Sequence, residues 1–367
     1  MTAPAFSFID HAHMAQALRL AGRGLFTTQP NPRVGCVIAH GDEVVGSGWH
    51  RRAGGAHAEV FALAEAGERS RGATAYVTLE PCAHFGRTPP CADALIAAGV
   101  ARVVIAHADP FAEVDGRGIG KLRDAGIQVE TGLMAEAARE LNRGFLARVG
   151  RKRPWTRLKL AMSLDGRTAL ASGESKWITG EAARADVQHW RARSSALLTG
   201  VGTVLADDPR LTVRLPEAEA VAPWRVILDR NLRTPRGANV LDGSAPTLVV
   251  HAAGSAPVDD RFARVELAPL EIHADRLDLS ALMALLAERE VNEIQVEAGA
   301  TLCGALFAQG LVDELLLYIA PVLLGDAAKP LLALPGLAGM SDRWKLTMVD
   351  QRMLGQDSRW LLRPREN

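Results

Sequence analysis

His57, Cys82 and Cys91 are residues of the kinds that hold zinc, and they fall within one short stretch of the chain. A catalytic zinc takes three such protein ligands and keeps its fourth tetrahedral position for water. Glu59, two residues beyond His57, adds a carboxylate that can carry protons to and from that water. Both metal-binding segments are predicted where a helix begins, so the helix dipole helps keep the thiolates ionised. A structural zinc usually has four protein ligands, and only three are offered here. Cys36 and Cys303 lie in apolar, strand- or helix-like runs and are expected in the core.

His-x-Glu followed by Pro-Cys and a second cysteine is the pattern of zinc nucleobase deaminases. The usual form spaces the cysteines by two residues, whereas eight residues, 83–90, separate Cys82 from Cys91 here. The inserted run Ala83-His84-Phe85-Gly86-Arg87-Thr88-Pro89-Pro90 narrows the match. So do Asn31-Pro32-Arg33-Val34-Gly35-Cys36-Val37, Gly54-Gly55-Ala56-His57-Ala58-Glu59 and Lys159-Leu160-Ala161-Met162-Ser163-Leu164-Asp165-Gly166-Arg167. On these motifs the chain resembles the bifunctional riboflavin-biosynthesis deaminase–reductases along essentially its whole length.

The resemblance implies an α/β protein of two domains. The first, residues 1–150, would be a cytidine-deaminase-like three-layer zinc deaminase. The second, residues 151–367, would be a dihydrofolate-reductase-like, NADPH-dependent reductase. The first would remove an amine hydrolytically from a 2,5-diamino-6-(5-phosphoribosylamino)pyrimidinone. The second would then reduce the ribosyl group to ribityl. It also implies that Asn31, His50 and Arg87 contact the base or its phosphate. His84 could compete as a zinc ligand but is read as a pocket-lining residue. An asparagine offers both donor and acceptor to a base edge, and an arginine offers a planar fork for phosphate. A rival reading is a single-activity nucleoside or nucleotide deaminase with an unrelated C-terminal half.

Two glycine turns mark the second half. Gly200-Val201-Gly202-Thr203 follows one strand-like run, and Gly299-Ala300-Thr301-Leu302-Cys303-Gly304 follows another and opens a helix. Such turns present backbone N–H groups to a pyrophosphate. By the resemblance, NADPH meets Ala161, Trp177, Thr203, Asp207 and the run Gly299, Ala300, Thr301, Leu302, Cys303, Gly304 and Ala305. Ser175, Arg191, Leu211, Arg214 and Glu297 would meet the substrate, the two arginines suiting a phosphate. Lys159 and Glu297 are both candidates for proton transfer. Arg230, just past the strand at 225–228, is the first candidate for the 2′-phosphate of NADPH, with Arg233 second.

The elements that must position these groups follow from periodicity. Met14, Leu18, Ala21 and Leu25 predict an opening amphipathic helix. Strands are expected at 34–39 and 43–49 around a tight turn at Gly41-Asp42. Helices near 58–68 and 92–98 then alternate with strands near 75–79 and 102–106, and a further helix and strand lie near 118–130. One longer helix should end near Val149, before an exposed linker at Arg151-Lys152-Arg153-Pro154. Strand-like runs recur at 156–162, 196–199, 225–228, 247–251, 293–297 and 314–319. A hairpin followed by βα alternation reads as a mixed sheet covered by helices.

The chain has 367 residues, 42 Lys and Arg against 42 Asp and Glu, and four cysteines. The charge balance holds on both sides of Gly150, which disfavours a nucleic-acid partner. Nothing approaches a membrane span or a disulfide framework. The expectation is a reduced, soluble, cytoplasmic enzyme that lacks a secretory signal, acts on a pyrimidine nucleotide, uses one zinc and NADPH, and forms a homo-oligomer.

Overall fold

The computed structural model describes residues 6–83, 90–109, 116–216, 219–273 and 275–365, in two compact units, Met1–Lys152 and Arg153–Asn367. The first unit contains α1 (Phe8–Gly22), β1 (Gly35–His40), β2 (Glu43–Trp49), α2 (Ala58–Ala66) and β3 (Thr74–Val77). It continues through α3 (Cys91–Ala97), β4 (Arg102–Ile105), α4 (Arg117–Asp124), β5 (Gln128–Thr131), α5 (Ala135–Leu141) and α6 (Arg143–Arg151). The sheet runs β2-β1-β3-β4-β5. β1 pairs antiparallel with both β2 and β3, and the remaining pairs are parallel.

Alternate residues of β1 face opposite ways, and both faces are covered. Cys36 and Ile38 pack with Ala58 and Ala62 of α2, Ala92 and Leu95 of α3, and Leu122 of α4. Val37 and Ala39 pack with Met14 and Ala17 of α1 and Ala138 of α5. The result is the expected three layers. α2 lies directly on β2, because a Cβ at Gly46 would stand 2.2 Å from the Ala62 carbonyl oxygen. That close approach fixes where the N-terminus of α2 falls.

Two sequence expectations need correction. The single helix expected to end near Val149 is two helices, broken at Asn142, which lies outside the helical region at φ −107°. Its side chain accepts from the Arg33 N–H at 2.7 Å and donates to the Arg33 carbonyl at 2.9 Å, so the break clasps the segment before β1. Nor is Arg153-Pro154 an exposed linker. Pro154 is buried, and the Arg153 fork binds Asp313 at 2.8 and 2.9 Å at the base of the second unit.

The second unit opens with β6 (Trp155–Ser163), β7 (Arg167–Ala169), α7 (Glu181–Arg193), β8 (Ala196–Gly200), α8 (Val201–Asp207) and β9 (Trp224–Leu228). Next come β10 (Thr247–Ala252), β11 (Glu266–Leu270), β12 (Ile272–His273), β13 (Arg276–Leu277), α9 (Leu279–Glu288) and β14 (Glu293–Val296). It ends with α10 (Ala300–Ala308), β15 (Glu314–Ala320), β16 (Lys329–Pro330), β17 (Leu346–Leu354) and β18 (Asp357–Pro364). Nine strands form one sheet, β11-β10-β9-β8-β14-β6-β15-β18-β17, parallel except where β18 pairs with β15 and β17. β15 is buried along its whole length, as a parallel-sheet strand covered on both faces should be.

From neighbouring β8 and β14 the chain departs in opposite directions, to β9 on one side and, past β6, to β15 on the other. Ligands of open α/β sheets gather at such a switch point, beyond the strands' C-terminal ends. At the opposite ends of β6, β14 and β15, Arg157 binds Glu293 at 3.0 Å and Glu314 at 2.8 Å, with all three side chains fully buried. Arg193 also binds Glu293 at 2.9 Å and Arg363 binds Glu314 at 3.3 Å, so a network of paired charges ties these strand ends together and this end serves stability.

Candidate active sites

Helix starts deliver the first site. His57 is the N-cap residue of α2, Glu59 lies in its first turn, and Cys91 is the first residue of α3. His57 Nδ1 stands 3.2 Å from Cys91 Sγ and 3.6 Å from Cys82 Sγ, and the Cys91 N–H points at Cys82 Sγ over 3.3 Å. All three ligand atoms lie within 4.8 Å of one another. Tetrahedral zinc with ordinary bond lengths needs N···S edges of about 3.6 Å, so the triangle fits the ion.

Charge is divided unevenly between the two thiols. The Cys91 hydrogen bond draws the Cys82 thiol down to about 4 against the cost of burial, and His57 adds to the pull. Cys91 is pushed well up by that same bond and by burial. Glu59 is 3% exposed, and among the described residues its Oε2 has no hydrogen-bond partner. Burial raises its carboxyl above the usual range, against the attraction of His57.

His50 and Asn31 meet beside this triangle. The His50 ring lies 5.5 Å edge-on from His57, and its Nδ1 faces the Ala56 carbonyl at 3.0 Å. The carbonyl can only accept, so Nδ1 carries the proton and Nε2 accepts from Asn31 Nδ2 at 3.2 Å. Asn31 Oδ1 is then left as an acceptor for a donor on a ligand. Arg87 and His84 lie outside the described residues. Cys36 and Cys303 are fully buried core thiols. Accordingly, Cys82→Ser and Cys91→Ser are each expected to lose zinc on metal analysis, because a serine hydroxyl stays protonated at neutral pH. Cys36→Ser and Cys303→Ser should keep it. Full zinc in Cys82→Ser would overturn the three-ligand site.

The second site is a cleft of about 840 Å³ at the switch point. Of the residues singled out by sequence, Ala161, Ser175, Arg191, Thr203, Asp207, Leu211, Arg230, Glu297, Gly299, Ala300, Thr301, Leu302 and Ala305 line it. Beyond the neighbouring backbone, a Cβ at Gly202 or Gly299 would meet no atom of the described residues within 4 Å, so their packing does not demand glycine there. Close approach of a ligand's phosphates to the backbone would. Gly299 is the N-cap of α10, whose first N–H groups have no partner within the helix.

Five of the sequence-derived residues stand outside the cleft wall, among them Arg233, which is exposed. Trp177 is 72% exposed beneath the Arg184 guanidinium, 4.6 Å from ring to charge. Cys303 and Gly304 face the core, and a Cβ at Gly304 would strike the Ala333 carbonyl oxygen at 2.3 Å. Arg214 is held through its backbone N–H by Gln188 at 3.0 Å. Arg191 does line the cleft, but its fork is engaged by Glu297 at 2.7 Å on both oxygens. Arg230 pairs with Asp275 at 2.7 Å. Lys159 is half-buried, and desolvation pulls its ammonium below the usual 10.5 while Glu297 pushes back. Burial would raise the Glu297 carboxyl, but the Arg191 guanidinium outweighs it and holds it at about 2. Thr168 and Lys329, on the paired short strands β7 and β16, also line the cleft. Sequence reading missed them because a two- or three-residue strand carries no periodicity.

A three-layer unit with an open zinc triangle, joined to a parallel-sheet unit with a glycine-turned cleft, defines a two-activity enzyme of the deaminase–reductase class. The family model for the cytidine and deoxycytidylate deaminase zinc-binding region matches residues 8–107, and that for the RibD C-terminal domain matches residues 154–357. A riboflavin biosynthesis protein RibD from Escherichia coli (strain K12) is 51% identical over 363 residues, 95% of this chain and 97% of that protein. One from Haemophilus influenzae is 47% identical, covering 98% of this chain and 99% of its own. A solved structure of Acinetobacter baumannii RibD superposes with a TM-score of 0.91 at 46% identity, covering 98% of this chain and 99% of that one. A Thermotoga maritima structure titled as the deaminase/reductase gives 0.87 at 33% identity, with 97% and 99% covered.

The chain belongs to the RibD family of riboflavin-biosynthesis enzymes. It is a bifunctional enzyme with a zinc-binding deaminase domain and a reductase domain. The match over residues 154–357 removes the rival of a lone deaminase with an unrelated tail. Among the described residues no helix is long and apolar enough to cross a membrane.

Proposed function

We propose that residues 1–150 deaminate the phosphoribosylaminopyrimidine and residues 151–367 then reduce its ribosyl group with NADPH, each through the residues named above. The carrying observation is the convergence of His57, Cys82 and Cys91 beside a buried carboxylate, one of whose oxygens has no partner among the described residues. Zinc, when held there, supplies an acidified water. Glu59 is placed to hold and move the proton, and would accept it from the attacking water and deliver it to the departing amine. Asn31 Oδ1 reads a donor on the base, kept in that orientation by His50. Arg87 is assigned the phosphate.

NADPH, when bound, supplies hydride. Gly202, Gly299 and the first turn of α10 would cradle its pyrophosphate, with Thr203 and Asp207 alongside. One coupled assay tests the whole reading: ammonia release from the diamino substrate, then loss of NADPH absorbance, with products identified by mass. Ammonia without subsequent NADPH oxidation would reduce the protein to a deaminase.

Arg230 at the cleft mouth is our reader of the NADPH 2′-phosphate, since a guanidinium binds phosphate through two donors. Arg230→Ala should weaken NADPH binding selectively and leave the poorer NADH binding nearly unchanged, as measured by titrating both cofactors. Equal losses for both, or none for either, would remove this role.

A cytoplasmic location fits four free cysteines, two of them assigned to a metal. A homo-oligomer fits β17, which stands at the sheet edge with Met348, Val349 and Met353 exposed. Its test is the mass in solution.

A further inference from the structure

Glu80 takes no part in the chemistry above, yet it is only 4% exposed and lies immediately before Pro81-Cys82. Its Oε2 accepts from the backbone N–H of Asp109 at 3.3 Å and of Gly116 at 3.2 Å. Its Oε1 accepts from Ile119 N–H at 3.1 Å, and its own N–H donates to the His107 carbonyl at 3.0 Å. Gly116 is the N-cap of α4 at φ 79° and gives that helix no side-chain cap. Ile119 falls in the first turn, where N–H groups have no partner within the helix. Glu80 therefore caps α4 from outside, placing negative charge where the helix dipole favours it. The same turn also touches the next peptide: a Cβ at Gly118 would stand 2.0 Å from the Pro81 carbonyl oxygen.

We propose that Glu80 is a positioning residue for the zinc site. It fastens the first turn of α4 and the segment after β4 to the peptide that presents Cys82. It thereby sets how firmly Cys82 stays in the ligand triangle. A carboxylate suits the task because three donors converge on a group that only accepts. Glutamine keeps the length but turns an NH₂ toward one set of donors. The inference rests on Cys82 as a zinc ligand.

Zinc release from the full-length holoenzyme is timed with excess chromogenic chelator for wild type, Glu80→Gln and Gly118→Ala. The second variant disturbs the same junction from the helix side and keeps the carboxylate, its added Cβ falling 2.0 Å from the Pro81 carbonyl oxygen and 3.2 Å from Glu80 Oε1. Both are expected to release zinc about tenfold to a hundredfold faster, the usual cost of losing an outer partner of a metal site. NADPH-dependent reduction by the same samples should be unchanged, which reports on folding of the other unit. The thermal midpoint should fall more in the zinc-loaded protein than in the zinc-stripped one. Equal falls in both would make Glu80 a general stabiliser and overturn its role. Wild-type release from both variants, with Cys82→Ser still zinc-free, would overturn the role of Glu80 alone. Zinc retained by Cys82→Ser would instead overturn the ligand reading beneath it.

Discussion

Replacing Glu59 with glutamine is expected to leave zinc bound and to cut ammonia release by roughly 10²–10⁴-fold, the usual worth of a positioned acid–base group. Glutamine matches the shape of the side chain but cannot carry a proton. Glu59 is not one of the three convergent ligand atoms, so the metal should remain. Its carboxyl is buried and raised, which brings it closer to the pH at which it must both take and give a proton. Reduction of the already deaminated substrate should survive, because every residue lining the reductase cleft belongs to the other unit. Metal analysis beside an ammonia assay decides the matter. Wild-type turnover would end the assignment, and loss of zinc would recast Glu59 as a support of the metal.

The zinc site was legible because its chemistry is local and its alphabet is small. Few side chains bind zinc, and two of the three ligand segments open helices, α2 and α3, whose apolar patterns mark their starts. Most strands of both sheets were open to reading, since burial on one or two faces writes alternation or continuous apolar runs. What escaped was set by contacts distant in sequence. The Asn142 break answers to Arg33, more than a hundred positions earlier, and no local propensity encodes that clasp. β17 escaped because it exposes residues on both faces and so shows no period of two.

The reductase cleft was less legible for the same reason. Arg191 has the chemistry of a phosphate clamp, and only the fold shows its fork taken by Glu297. Lys159 and Glu297 were indistinguishable as proton carriers until their surroundings were known. Glu80 precedes a metal-binding Pro-Cys in plain view, but its three N–H donors lie on the far side of β4.

Those surroundings favour Lys159. Lys159→Met is expected to cut reduction by roughly 10²–10⁴-fold while ammonia release is preserved. Glu297, held at about 2 by Arg191, carries no proton to donate near neutral pH. Lys159 sits at the cleft wall with its ammonium pulled below 10.5 by desolvation, nearer the pH at which a donor works well. Glu297 opposes that shift, because its negative charge favours the ammonium. The pH dependence then has a definite sign. Reduction should fall as pH rises through the Lys159 value, which lies below 10.5. In Glu297→Gln the opposing charge is gone, so the alkaline fall should move to still lower pH, while activity on the acid side of it persists. Following NADPH absorbance against pH for wild type and both variants, with deaminated substrate, separates the two carriers. If Glu297→Gln is as inactive as Lys159→Met at every pH, the carboxylate is the group that handles the proton. If Lys159→Met reduces normally, the lysine has no part in the step, and the low-lying Glu297 must be reconsidered as an anchor for substrate hydroxyls.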